Sequence, residues 1–190
     1  MATDRIVVGI SGASGAPLAV SLLRALKEHP MEVHLIVTPG AWRTIQEETS
    51  LTPEQIYSLV DTVHDVHDVG APPASGSWKT RGMIVIPCSM KTLGGIHSGY
   101  SDNLLLRAAD VTLKEQRKLV LVPRECPMNP IHLRNQYELS MMGTVILPPV
   151  LSYYNHPETI QDMEQHLIGK ILDQFSLDHS SFQRWGEAND

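Results

Sequence analysis

The residues able to do chemistry in this chain collect where its apolar runs stop. Ser14 lies just past Ile6-Val7-Val8, and Thr38 closes the run 32–38, EVHLIVT. Ser89, Met90, Lys91 and Thr92 follow Met83-Ile84-Val85-Ile86-Pro87, and Arg124-Glu125 follow the run 119–122. Hydroxyls, a lysine and a guanidinium in such places suit an anion, because cations and N–H donors stabilise phosphate oxygens. The first place is the richest. Residues 5–17, RIVVGISGASGAP, turn through Gly9, Gly12 and Gly15 into a helix-forming segment. Glycines let a backbone come close to a ligand, and free N–H groups at a helix start point at negative charge. Pro17 fits the first helical turn, where a missing N–H costs nothing. The expectation is a phosphate-bearing ligand at the end of the first strand.

The spacing narrows the ligand. The glycine pattern is G-x-x-G-x-x-G, and the second strand ends in Thr38-Pro39. A dinucleotide site would show G-x-G-x-x-G and an acid there for the ribose, so it is disfavoured. No G-K-[ST] appears, which disfavours a P-loop. Gly12-Ala13-Ser14-Gly15-Ala16 has alanine where a nucleophile elbow needs glycine. What remains suits a mononucleotide, with flavin mononucleotide (FMN) the natural candidate and a purely structural glycine turn the other reading.

Other reactive residues weigh less. Cys88 follows a strand, but no histidine partner is suggested for a nucleophile. His64 and His67, with Asp65 and Asp68, offer metal-ligand types in a stretch rich in proline, glycine and serine, which reads as a solvated connector. Ala74-Ser75-Gly76-Ser77 in that loop is small and polar enough to wrap a ligand. Arg107 and Lys114 are seven apart, two helical turns, and share a face. A solvated basic edge is the ordinary reading, weakened because Arg107 sits between apolar positions. Arg124-Glu125 has a surface ion pair as its ordinary reading.

Strands and helices alternate along the chain. Helices are predicted over 16–29, from Gly40 through Trp42, Ile45 and Glu48, briefly from Thr52, after Ser89, and over 102–117, 129–142 and 158–175. Five strands are predicted, the last at 144–147. Such alternation implies an α/β fold, a parallel sheet with helices on both faces and ligands beyond the strands' carboxyl ends. The chain has 190 residues, enough for one such domain, expected over residues 1–175 with a polar tail at 176–190. A net charge of −6 argues against a nucleic-acid partner. Two distant cysteines, Cys88 and Cys126, indicate reduced thiols in a cytoplasmic protein rather than a disulfide framework. The early first strand leaves no room for a signal peptide, and no apolar run is long enough to span a bilayer.

Several motifs in order carry a resemblance. They are Ser11-Gly12-Ala13-Ser14-Gly15-Ala16, Pro73-Ala74-Ser75-Gly76-Ser77, Pro87-Cys88-Ser89-Met90-Lys91-Thr92-Leu93, Arg107-Ala108-Ala109-Asp110-Val111, Leu113-Lys114-Glu115, Leu121-Val122-Pro123-Arg124-Glu125 and Arg184-Trp185-Gly186-Glu187. Over residues 5–187 the chain resembles the UbiX-type flavin prenyltransferases, which include small subunits associated with phenolic acid decarboxylases. The resemblance implies a flavodoxin-like Rossmann three-layer sandwich assembled as a homododecamer, with active sites at subunit interfaces. It implies transfer of a dimethylallyl group from dimethylallyl monophosphate to N5 and C6 of reduced FMN, without a metal. The product, prenylated FMN, serves UbiD-type decarboxylases. By motif position, Gly12, Ala13, Ser14, Thr38, Ser89, Met90, Lys91, Thr92 and Arg124 bind FMN. Tyr154, Lys170, Arg107, Lys114 and Trp185 surround the prenyl donor, with Glu125 also beside its phosphate. Ser14 lies beside the reactive flavin edge, and Glu48 and Glu125 handle protons. Thr38 stands where the family often has serine and keeps the hydroxyl.

The chemistry fits those residue types. Breaking an allylic C–O bond needs cations on the departing phosphate and a π-face beside the allyl cation. Closing a ring at C6 releases a proton that the phosphate, Glu48 or Glu125 accepts. Two other readings stay open here: a flavin-dependent cysteine decarboxylase, and a non-catalytic flavin-carrying decarboxylase subunit.

Overall fold

Side chains alternate inside each central strand, and that alternation builds two cores. Ile6, Val8 and Ile10 face one side with Leu35, Ile84, Ile86, Val120 and Val122. Val7, Ile36, Met83, Val85, Leu119 and Leu121 face the other. A strand buried on both faces reads as a continuous apolar run, as these do. The computed structural model describes residues 4–181 and 186. In chain order the elements are β1 (Arg5–Ile10), α1 (Ala16–Leu26), β2 (Glu32–Val37), α2 (Pro39–Glu48), α3 (Pro53–Tyr57), β3 (Thr62–His64), β4 (Gly82–Cys88), α4 (Met90–His97), α5 (Leu104–Lys114), β5 (Lys118–Pro123), α6 (Pro130–Met141), β6 (Val145–Ile146) and α7 (Ile160–Asp173). The strands form one sheet in the order β3-β2-β1-β4-β5-β6, all pairs parallel. Residues of α1, α2, α3 and α7 fill the first core, and residues of α4, α5 and α6 fill the second. The three-layer sandwich follows.

The order reverses between β1 and β4. The chain winds outward from β1 to β3 and returns to the far side of β1. At such a switch the loops leave in opposite directions and open a crevice beyond the strands' carboxyl ends. Gly9 lets α5 close over the sheet: a Cβ there would sit 3.0 Å from the Leu105 side chain. Helix starts follow local chemistry. Thr52 and Gln55 form a capping box, Asn129 caps α6, and Thr159 and Asp162 cap α7, each satisfying N–H groups that have no intrahelical partner. Leu177 is buried in the first core, so packing continues into the tail expected to be polar. No helix among the described residues is long and apolar enough to cross a membrane.

The sixth strand corrects the expectation of five. β3 has three residues, TVH, too short and too polar to show a period, and it lies where the connector was expected to start. It is placed by pairing with β2, His34 opposite Thr62 and Ile36 opposite His64. The pairing brings two imidazoles together. His34 Nδ1 is 3.0 Å from His64 Nε2, the rings stack, and Trp78 meets His34 edge-on. Arg5 lies over Trp78 and binds Glu32 at 2.7 Å. Burial holds the His34 proton affinity below the ordinary range, with Glu32 and Asp61 opposing it and Arg5 adding to it. Burial, then the His34 charge, does the same to His64 against the pull of Asp68.

Both rings therefore bind protons less readily folded than unfolded. Their contribution is full above the ordinary histidine value of about 6.5 and is lost as pH falls below it. The urea midpoint is expected to drop between pH 7.5 and 5.5, and His64→Gln is expected to shrink that drop. An undiminished drop in the variant would place the acid sensitivity elsewhere.

Candidate active site

The crevice at the switch is a cleft of about 440 Å³. The starts of α2 and α4 line it, and so does Asn103 at the start of α5. Thr38 caps α2, its Oγ1 accepting from Ala41 N at 3.2 Å. Ser89 caps α4, its Oγ accepting from Thr92 N at 3.2 Å and donating to Thr92 Oγ1 at 3.1 Å. The first N–H groups of a helix lack intrahelical acceptors and carry the positive end of its dipole, so such ends lining one cleft favour an anion. Lys91 adds a cation to the lining. Gly12 brings the turn after β1 against the start of α2: a Cβ on Gly12 would lie 3.0 Å from the Gly40 backbone carbon. The donor set and that close-packed backbone fit a mononucleotide phosphate.

The glycine turn itself is used differently from the expectation. The N–H groups of Gly15 and Ala16, at the start of α1, do not wait for a ligand. Both donate to Glu48 Oε2 at 2.8 Å. The Ser14 side chain and the Arg124 charge both lie near the same carboxylate and favour its charged form. Burial raises the Glu48 proton affinity, and these hydrogen bonds outweigh it, leaving the carboxyl below its ordinary range and ionised at neutral pH. Arg124 Nε donates to Ser14 O at 3.3 Å. The anion expected at α1 is thus a protein carboxylate, and the cleft's anion donors belong to α2 and α4. A contact spanning 33 residues leaves no trace in a local motif.

Of the residues predicted to bind FMN, Gly12, Thr38, Ser89, Lys91 and Thr92 line the cleft. Ser14 and Arg124 stand together beside Glu48. Ala13 is buried, and Met90 packs against the second core. Glu125 accepts from Cys126 N at 3.1 Å. None of Arg107, Lys114, Tyr154 and Lys170 lines the cleft. Arg107 binds Asp110 at 2.6 Å, and Lys114 binds Glu115 next to Gly76. Tyr154 lies edge-on to His166, its hydroxyl 3.4 Å from Nε2. Lys170 is exposed on α7. Trp185 falls outside the described residues. Cys88 is fully buried, and burial pushes its thiol far up, which leaves no thiolate for nucleophilic attack.

The lining also contains Pro39, Gly40, Val66, His67, Asp102, Asn103 and Leu106, which motif reading missed. Leu104 N donates to Val66 O at 2.8 Å, tying the loop before β4 to the start of α5, so the presumed connector supplies one wall. Asp65 and Asp68 accept from the backbone N–H groups of His67 and Gly70 and shape that turn. Asn103, placed directly before an apolar helix, carried the signal of an N-cap, and its side chain accepts from Leu106 N.

The flavoprotein family profile matches residues 1–173. A probable UbiX-like flavin prenyltransferase of Sedimentibacter hydroxybenzoicus is 52% identical over 187 residues, 98% of this chain and 99% of that protein. A dodecameric FMN-dependent UbiX-like decarboxylase from Escherichia coli O157:H7 superposes with a TM-score of 0.94 at 51% identity, covering 96% of this chain and 100% of that one. AnUbiX in complex with FMN and dimethylallyl pyrophosphate gives a TM-score of 0.96 at 46% identity over 98% of this chain and 100% of its own. On sequence and structure alike, the chain belongs to the flavoprotein family, among its UbiX-type flavin prenyltransferases.

Proposed function

We propose that this chain transfers a dimethylallyl group from dimethylallyl monophosphate to N5 and C6 of reduced FMN, and that a UbiD-type decarboxylase receives the prenylated flavin. The observation that carries the reading is the cleft at the switch, lined by the N-termini of α2 and α4 and by Lys91. Thr38, Ser89, Met90, Lys91 and Thr92 hold the flavin phosphate end, and Gly12 and Ala13 supply close backbone. Ser14 and Arg124 stand at the reactive edge. FMN bound there supplies the nucleophilic nitrogen and ring carbon.

Glu48 and Ser14 work as a pair. The ionised Glu48 carboxylate stands beside the Ser14 hydroxyl and can accept a hydrogen bond from it. The proton released on ring closure at C6 has Glu48, by way of the neighbouring Ser14, Glu125 or the departing phosphate as its acceptor. Arg107, Lys114, Tyr154, Lys170 and Trp185 grip the donor. The first four do not line the cleft at the switch, so in this reading the donor site is completed by a second copy in a homododecamer. Exposed Tyr137, Met141 and Ile160, at 65%, 72% and 78% accessibility, give α6 and the start of α7 apolar surface for such a neighbour to cover. A cysteine decarboxylase or a non-catalytic flavin carrier would have no use for the donor cations.

Mixing the protein anaerobically with reduced FMN and dimethylallyl monophosphate is expected to yield a flavin one prenyl unit heavier by mass spectrometry. Unchanged flavin, under conditions where FMN binds, would sink the reading. Lys170→Ala and Arg107→Ala are each expected to raise the KM for the donor roughly tenfold or more, the worth of one charge-assisted hydrogen bond, while FMN affinity holds. Unaltered KM values would remove these cations from the donor site. Glu48→Gln keeps the size and loses the charge; prenyl transfer is expected to slow by about 10²-fold or more with FMN still bound. Glu48→Ala, which strands two N–H groups, is expected to destabilise the fold by about 1–3 kcal/mol in urea unfolding. Full activity in Glu48→Gln would exclude Glu48 from the proton path.

A further inference from the structure

Ser11 is not part of the lining of the cleft and has no assigned task, yet it sits at the reversal of the sheet. It is 1% exposed. Its backbone N donates to Pro87 O at 3.2 Å, and its Oγ donates to the same oxygen at 2.9 Å. The same Oγ accepts from Ser89 N at 2.8 Å. Ser89 is the N-cap of α4, extended at φ −73° and ψ 154°, so its N–H lies outside the helix ladder and needs a partner from elsewhere. On the other side of that peptide unit, Cys88 O accepts from Arg124 N at 3.2 Å. One peptide plane, Cys88–Ser89, is therefore held by Ser11 from the end of β1 and by Arg124 from the end of β5.

A hydroxyl that donates to Pro87 O and accepts from Ser89 N, both at the end of β4, fixes the position and the tilt of that plane. The tilt sets where the Ser89 hydroxyl and the first N–H groups of α4 point. We infer that Ser11 is a positioning residue that aims the α4 anion cradle, and that it sets the preference for a phosphorylated over an unphosphorylated flavin. This rests on the reading that α4 receives the FMN phosphate. A role confined to general stability would weaken both flavins alike, because the isoalloxazine is common to them.

The test titrates the protein with FMN and with riboflavin, following flavin fluorescence. Wild type is expected to prefer FMN. Ser11→Ala is expected to weaken FMN roughly tenfold, the worth of one hydrogen bond to a charged group, with riboflavin held within about twofold. Ser11→Cys, which fills the same space with a weak donor, is expected to move the ratio the same way and serves if Ser11→Ala fails to fold. In a Ser89→Ala background, Ser11→Ala is expected to change the ratio less than it does alone, since the part carried by the Ser89 hydroxyl is gone while the part carried by the α4 N–H groups remains. Equal loss of both flavins in the Ser11 variants, or full additivity with Ser89→Ala, would overturn the inference. A wild type that binds both flavins equally would instead overturn the phosphate reading on which it rests.

Discussion

The reversal of strand order between β1 and β4 is the constraint on which the site depends. Two neighbouring parallel strands send their chains to opposite faces of the sheet, so nothing covers their carboxyl ends. The groups left there must be satisfied by side chains or by a ligand. In this molecule buried hydrogen bonds from Ser11 satisfy the inner ones, Pro87 O and Ser89 N. The outer ones, at Gly40 of α2 and Lys91 of α4, belong to residues that line the cleft. The division follows from depth. Groups next to the sheet meet a short buried hydroxyl, and groups one turn further out meet solvent or an anion.

The glycine-rich turn shows the same division with a different outcome. Its helix start offers an equally good anion site, and Glu48 fills it from the end of α2. A carboxylate held by two backbone N–H groups, with Ser14 and Arg124 beside it, stays ionised, because together these groups favour the charged form more than burial disfavours it. The contact also fixes where α2 ends relative to α1, while Gly12 against Gly40 fixes where α2 begins. Both ends of α2 are thereby referenced to the turn after β1. That keeps the Thr38 cap aligned with the Ser89 cap across the cleft.

Much of this was legible in the sequence, and the limits have physical causes. The buried parallel strands announced themselves as apolar runs, since both their faces are covered. Thr52 reads as a helix start, because a cap is a contact between residues three apart; Thr38 and Ser89 read only as strand ends with helices after them, and the structure makes them the caps. Glu48 was placed on a helix and given a proton role through the family resemblance, but its hold on α1 is long-range and invisible to any local pattern. The wall formed by Val66 and His67 looked like a connector, since it is anchored by a backbone bond to Leu104 and backbone bonds leave no residue signature. β3 escaped for a related reason. Its three residues gain their place from pairing with β2, not from their own apolarity.

The cations differ in how they are held. Lys91 lines the cleft directly, whereas Arg107 and Lys114 are already engaged by Asp110 and Glu115 on their own helix or beside it. An exposed ion pair of this kind is worth little, about 0–1 kcal/mol, because solvent screens it. Exchanging a neighbouring carboxylate for a phosphate dianion in a less hydrated setting therefore costs little and gains charge. Side chains held this loosely suit a site formed when another surface arrives and excludes water. Side chains held tightly, as Ser89 and Thr92 are by each other, suit a cradle that must exist beforehand. The flavin end of the proposed site is of the second kind, and the donor end is of the first.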